Sequence, residues 1–353
     1  MVIRADLQER IHAALVVAGI GDALGAPTEQ YAMAEIAALH GPELIDRFIE
    51  PPADTFAGAN GGRAGEITDD ASQMYYLARA LVKSGGRLTN ADWIACLLDW
   101  CDTSPKAGFM GPSTEALVRA LRAGDDPARF GRIGTSTRKM TNIGATNGAA
   151  MRVAPVGLCH PGDIDTTAEV TLQTCLPSHD ASVAIEAACA IAAGVATALT
   201  ARSWEEVVEG CREGGQRGRA LASRHARLEA GPRFQARLEM ALTIAASSRD
   251  HATLLSRMEA EVGNSVLAAE SVPCAIGLFA YAKGDPWLVV RLAASIGNDS
   301  DSIGTMAGAM AGALSGFGPV PPSIVQDFHT ANPGFDLVQL AYDLARIGGA
   351  GRG

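Results

Sequence analysis

The chain has little aromatic surface and little charge. Phe, Trp and Tyr make up 5% of its 353 residues, and Asp, Glu, Lys and Arg together 19%. Few aromatics with much Ala suit closely packed helices. Its seven cysteines (Cys96, Cys101, Cys159, Cys175, Cys189, Cys211 and Cys274) are scattered, odd in number and never spaced as CxxC. That excludes a thiolate metal site and fits a reducing cytoplasm. There is no basic tract, and the formal net charge is −10. Non-specific binding to nucleic acid or to an anionic membrane is therefore not expected. Arg4, Asp6, Glu9 and Arg10 precede a short apolar run, "IHAALVVAGIG", which argues against a secretion signal. Alternating stretches long enough for a strand, βαβ spacing and repeats of fixed period are all missing.

What is present is helical. Hydrophobic residues at 48% describe a globular chain. "DLQERIHAALVVAGIGDALG", "ASQMYYLARALVKSGG", "SVAIEAACAIAAGVATALT" and "SWEEVVEGCREGG" carry apolar residues at three- and four-residue steps, several closed by Gly. These patterns predict an all-α protein, and a site shared by acidic clusters near its two ends would tie residues 1–353 into a single domain. The stretch near 202–237 is the most charged and is expected to form peripheral, solvent-facing helices. "TFAGANGGRAGE" and "KAGFMGPST" read as Gly-rich loops, flexible or facing a ligand. Gly304, Gly308, Gly312 and Gly316 fall every four residues, a stripe on one helix face where another backbone can come close. The run from Ile303 to Phe317 is too short, and too rich in Ala and Gly, to cross about 30 Å of hydrocarbon.

That Gly-striped helix begins in "GNDSDS", which sets Asp299, Asp301 and Ser302 at its mouth. Near the other end of the chain "GEITDD" sets Thr68, Asp69 and Asp70 before a helix with Met74, Leu77, Ala78 and Leu81 on one face. Acids and hydroxyls cap helix N-termini because their oxygens accept unpaired backbone N–H groups. One cap needs one acid, and each cluster has two. Four carboxylates brought together repel one another unless cations offset the charge. Oxygen ligands select hard ions such as Mg²⁺, Mn²⁺ or Ca²⁺ over Zn²⁺. Two divalent ions would balance four carboxylates, and such pairs can activate a water. Glu29, in the connection after "GDALGAP", is a further acid that the clusters would bring into play.

Taken together, "GDALGAPTE" (21–29), "GEITDD" (65–70), "GPST" (111–114), "TNGAAMRVAPVG" (146–157), "SHD" (178–180) and "GNDSDSIGTMAGAMAGAL" (297–314) resemble the ADP-ribosylglycohydrolase family, in the family's order and across nearly the whole chain. The resemblance implies a compact all-α fold with two Mg²⁺ or Mn²⁺ ions. Thr68, Asp69 and Asp70 would bind them from one side, and Asp299, Asp301 and Ser302 from the other. Glu29 falls on the family's active-site glutamate. Gly111, Ser113 and Thr114 would face a diphosphate, while Asn147, Gly148 and His179 match segments that line the ADP-ribose cleft. The implied activity is hydrolysis of a glycosidic bond at C1′ of an ADP-ribosylated protein or a small ribosylated substrate, in the cytoplasm. A nucleoside hydrolase and a non-catalytic ADP-ribose-binding relative are the alternatives. The sequence departs from the family where Ala71 replaces the usual Thr after the acids, and where Asn298 and Ser302 replace Gly and Thr. Helical isoprenoid synthases also hold Mg²⁺ on aspartate-rich helices, but "DDASQ" lacks the third acid of their motif.

Overall fold

Every regular element among the described residues is helical. The computed structural model describes residues 5–126, 132, 135–140 and 142–350. In chain order the helices are α1 (Ala5–Gly25), α2 (Met33–His40), α3 (Phe56–Ala59), α4 (Asp69–Lys83), α5 (Asn90–Thr103) and α6 (Pro112–Ala123). Next come α7 (Ala154–Cys159), α8 (Ile164–Cys175), α9 (Ser182–Ala198), α10 (Trp204–His225), α11 (Phe234–Ser247) and α12 (His251–Arg257). The last five are α13 (Ala268–Tyr281), α14 (Pro286–Ile296), α15 (Ser300–Ser315), α16 (Pro322–Ala331) and α17 (Leu337–Ala350). One large hydrophobic core joins all but α3 into a single compact all-α domain, and α3 packs through Ala57 in a small separate cluster with Ala26 and Phe109.

At its centre α1 and α15 run antiparallel, backbone against backbone. A Cβ at Gly308 would lie 2.7 Å from the Val17 carbonyl oxygen, and one at Gly312 would lie 2.6 Å from that of Ala13. Gly304 and Gly21 are mutual: a Cβ on either would collide with the carbonyl of the other. Three glycines of the stripe thus serve close approach. The fourth, Gly316, ends the helix with φ +66°, a conformation that suits glycine because it lacks the clashing Cβ. Replacing Gly304 by Ala should cost about 1–3 kcal/mol through overpacking. The expected fall in Tm is roughly 2 °C per kcal/mol for a chain of this length, readable by calorimetry.

The same device places α10 on α9. Gly214 faces the Cys189 carbonyl, and a Cβ on Gly218 would lie 3.0 Å from that of Ile185. Gly214 and Gly215 therefore do not close the helix, as the "CREGG" pattern suggests; α10 continues to His225. Tertiary contact overrides the poor helix propensity of glycine here, because the missing side chains admit a second backbone. The opposite face of α10 carries Glu205, Glu206, Glu209 and Glu213 in solvent, as expected of the charged stretch.

Helix α1 forms over the stretch whose apolar spacing predicts it. Residues Asp6–Thr28 are long and apolar enough to cross a membrane, and 94% of the apolar 18-residue window within them is buried inside the protein. Its one basic side chain before the core, Arg10, donates to the carbonyls of Ala313, Leu314, Ala198 and Leu199. A guanidinium with five donors satisfies the ends of α15 and α9 together.

Candidate functional site

The close approach of α1 and α15 delivers the acids. A Cβ on Gly25 would lie 2.5 Å from the Asp301 backbone nitrogen, so the end of α1 abuts the start of α15. Thr28 then pins the connection: its hydroxyl lies 2.7 Å from the Ala294 carbonyl, 2.9 Å from that of Gly25 and 3.1 Å from the Ser300 hydroxyl. The next residue is Glu29. Across from it, Gln30 donates its backbone N–H to Asn298 at 2.7 Å, and Asn298 donates to Tyr31 at 2.9 Å. Asn298 has φ +57°, a left-handed conformation that asparagine tolerates better than most residues. Its amide donates to Asn264 at 3.3 Å. The exchange of Gly for Asn is thus accommodated by the backbone.

Neither pair of acids caps its helix in the ordinary way. Asp299 stands at the N-cap of α15, but its side chain accepts no capping bond from a backbone N–H of the first turn; it accepts from the Asn147 amide instead. The N-cap of α4 is Thr68, whose hydroxyl accepts from the Asp70 backbone nitrogen. A residue that the sequence did not single out completes that cap. Asp22 of α1, fully buried, accepts from the Thr68 backbone nitrogen at 3.0 Å and from that of Ala71 at 2.9 Å. Its signal was an acid inside the apolar run "VVAGIGDALG". With the helix end satisfied from elsewhere, Asp69 and Asp70 are left for other work.

A cleft of about 290 Å³ collects them, lined by Glu29, Asp69, Asp70, Asp299, Asp301 and Ser302. Gly111, Ser113, Thr114, Asn147, Gly148 and His179 line the same cleft. Of the thirteen candidate residues only Thr68 is not on this lining; its hydroxyl faces Asp70 at 3.3 Å. Glu29, Asp299 and Asp301 bring carboxylate oxygens within 4.8 Å of one another. The Ser302 side chain stands close enough to both Asp70 and Asp299 to stabilise either carboxylate, and so links the two clusters. Glu29 Oε2 and Asp70 Oδ1 are buried with no hydrogen-bond partner among the described residues. Such orphaned acceptors are costly unless a ligand meets them.

Burial and mutual repulsion hold these acids towards protonation. The Glu29 carboxyl is raised to about 8 by burial and by Asp299, Asp70 and Asp22. Burial, then Asp70, raises Asp299 to about 7, and likewise Asp22 to about 7. Asp70 is raised to about 6 by burial, opposed by hydrogen bonds from Ser302 and Thr68. Asp69 and Asp301 are pushed well above the usual range by burial and neighbouring acids. The converging carboxylates of Glu29, Asp299 and Asp301 make this cluster a candidate metal site.

The facing wall holds an uncharged imidazole. His179 is buried, and burial with the charges of Arg152 and Lys139 keeps it uncharged. A Cβ on Gly148 would lie 2.8 Å from His179 Nε2, so the glycine makes room for the ring. Both Gly-rich stretches are ordered at the rim. Phe56 and Phe109 meet edge to face with centroids 5.8 Å apart, and both line the cleft. Of the wall residues that sequence reasoning did not single out, Thr146 and Met151 lie within "TNGAAMRVAPVG", whereas Gln30 and Val266 belong to no motif.

A family model described as ADP-ribosylglycohydrolase matches residues 3–351. Uncharacterized protein YegU of Escherichia coli (strain K12) is 33% identical over 347 residues, covering 96% of this chain and 97% of YegU. ADP-ribosylhydrolase ARH3 of Homo sapiens is 31% identical over 198 residues, about half of each chain (50% and 52%). Among solved structures, an ADP-ribosylglycohydrolase-related protein complex superposes with a TM-score of 0.66 at 21% identity, covering 98% of this chain and 100% of the other.

Proposed function

The chain belongs to the ADP-ribosylglycohydrolase family, and from that premise we propose that its cleft hydrolyses the glycosidic bond at C1′ of an ADP-ribosylated substrate, with two Mg²⁺ or Mn²⁺ ions held among its acids. The observation that carries this reading is the buried carboxylate cluster with unmet oxygens on Glu29 and Asp70. An all-oxygen donor set so placed fits hard divalent ions. Asp69 and Asp70 would hold them from α4, and Asp299, Asp301 and Ser302 from α15. Such ions supply charge neutralisation and Lewis acidity towards the ribose hydroxyls when bound.

The chain's own residues do the rest. Glu29, fixed by the Thr28 anchor, would take the proton of the attacking water as the water oxygen bonds to C1′, and would return it to the leaving nitrogen or oxygen as the glycosidic bond breaks. Phe56 and Phe109 shield the rim from solvent. The backbone N–H groups of Gly111, Ser113 and Thr114, at the start of α6, would face a diphosphate. Asn147, which donates to both Ser271 and Asp299, keeps the Asp299 carboxylate turned. The acting protein is expected in the cytoplasm, free of nucleic acid and membrane.

The test is to incubate the protein with Mg²⁺ or Mn²⁺ and ADP-ribosyl-arginine, ADP-ribosyl-serine or nucleosides, and to assay the freed sugar product. Release of ADP-ribose supports the proposal, whereas release of ribose from nucleosides alone replaces it. A second measurement separates the same two outcomes. Free ADP-ribose should inhibit at least about tenfold more strongly than ribose, since each charge-assisted bond to the diphosphate is worth about 1.5–3 kcal/mol. Equal inhibition would move the reading to a nucleoside-type substrate.

A further inference from the structure

Behind the cleft lies a cation that acts on Asp69 and Asp70 through charge and hydrogen-bonds to neutral groups. Arg152 is fully buried, and its guanidinium stacks 4.5 Å from the centroid of the Trp93 ring. Its hydrogen-bond partners are neutral. Nη1 donates to Gln73 Oε1 at 3.2 Å, and Nη2 donates to Ser178 Oγ at 3.1 Å and to the Thr174 carbonyl at 3.3 Å. A guanidinium can only donate, so each of these bonds has a fixed direction.

The directions propagate both ways. On one side the Gln73 carbonyl turns to Arg152, which leaves the amide nitrogen for Asp69 Oδ2, at 2.9 Å. On the other, the Ser178 oxygen accepts from Arg152, and the partner for its own hydrogen is His179 Nδ1, 2.8 Å away. Were His179 protonated at Nδ1, the buried Ser178 hydroxyl would lose that acceptor, which folded proteins avoid. The proton of the neutral ring therefore sits on Nε2 and is donated to Thr146 Oγ1 at 3.1 Å. Thr146 in turn donates to Ser113 Oγ at 3.2 Å. That oxygen already accepts the Gly144 N–H at 2.9 Å. With both lone pairs engaged, Ser113 has only its hydrogen left to offer.

We propose that Arg152 is a positioning residue for both walls of the cleft: it orients Asp69 through Gln73, and through the Nε2–H tautomer of His179 it makes Ser113 a hydrogen-bond donor to an acceptor oxygen of the ligand. The identity of that ligand as ADP-ribose rests on the function proposed above; the direction of the relay does not.

The ring nitrogens of His179 report the relay directly. In ¹⁵N NMR spectra of the full-length protein, assigned by the resonances lost in His179→Asn, the wild type should show one tautomer, protonated at Nε2. In Arg152→Met the Ser178 oxygen is released to accept from Nδ1, and the Nδ1–H form should rise to a comparable share. Arg152→Lys, which keeps a donor, should restore part of the original tautomer. A wild-type proton on Nδ1 overturns the proposal, as does a folded Arg152→Met with the wild-type tautomer unchanged. By calorimetry Ser113→Ala should bind ADP-ribose about tenfold more weakly, and Arg152→Met in that background should add little. Should Arg152→Met fail to fold, the wild-type spectrum and Ser113→Ala decide, and undiminished affinity in Ser113→Ala counts against the relay. A wild type with the expected tautomer that does not bind ADP-ribose supports the relay and refutes the functional reading.

Discussion

Glu29→Gln should lower turnover about 10²-fold or more while leaving ligand affinity nearly unchanged. The substitution keeps the shape of the side chain and the anchor at Thr28, whose three contacts do not involve the carboxylate. It removes the ability to accept a proton, and a positioned general acid–base group contributes about 10²–10⁴-fold. The carboxylate also stands within ligand range of Asp299 and Asp301, so the amide should weaken metal binding to some degree. Steady-state kinetics at saturating Mg²⁺ or Mn²⁺ separate the two effects. If a saturating ion restores normal turnover, Glu29 is a ligand and not a proton acceptor. Near-normal turnover without added ion would remove Glu29 from the chemistry altogether.

Divalent ions should raise Tm by about 5 °C after chelation. Ions that bind the folded cluster and not the unfolded chain stabilise by about 2.7 kcal/mol at one hundred times their dissociation constant. At this length each kcal/mol moves Tm by roughly 2 °C. Asp70→Asn and Asp299→Asn should each shrink the rise, and each can raise the Tm of the chelated protein by relieving repulsion. The pH dependence carries a distinct sign. Glu29, Asp22, Asp299 and Asp70 have folded pKa values raised to about 8, 7, 7 and 6, above their ordinary range near 4. Through that window the folded state binds more protons than the unfolded, so the chelated protein loses stability as pH rises from about 4 to 8. The ions replace those protons. Their stabilisation should therefore grow across the same window and reduce the slope. Calorimetry at several pH values, with and without ion, reads both trends. A shift that is absent, or independent of pH, would mean that the two clusters do not form one cation site.

The two clusters illustrate what residue patterns disclose. Each is visible in the chain because one helix cap needs one acid and "TDD" and "DSDS" supply more. The caps that relieve them of that duty were not visible: Asp22 reaches the α4 terminus from another helix, and Asn147 takes Asp299 from a third segment. The relay behind the cleft was equally hidden. Arg152 lay in the quoted stretch "TNGAAMRVAPVG", but nothing in spacing says that it stacks on Trp93 and faces Gln73 and Ser178.

Local sequence determined the helical class, the Gly stripe of α15 and the residue types that gather at the cleft. Periodicity and helix-end chemistry are properties of neighbours along the chain, and a few residues suffice to express them. Tertiary structure alone decided which backbone the stripe would meet, why α10 runs through Gly214 and Gly215, and that the apolar α1 is a core helix. It also decided the charge state of the acids. A carboxylate with a pKa near 4 in water becomes one near 7 or 8 only when packing removes the water and sets other carboxylates beside it. No single segment of the chain contains both conditions.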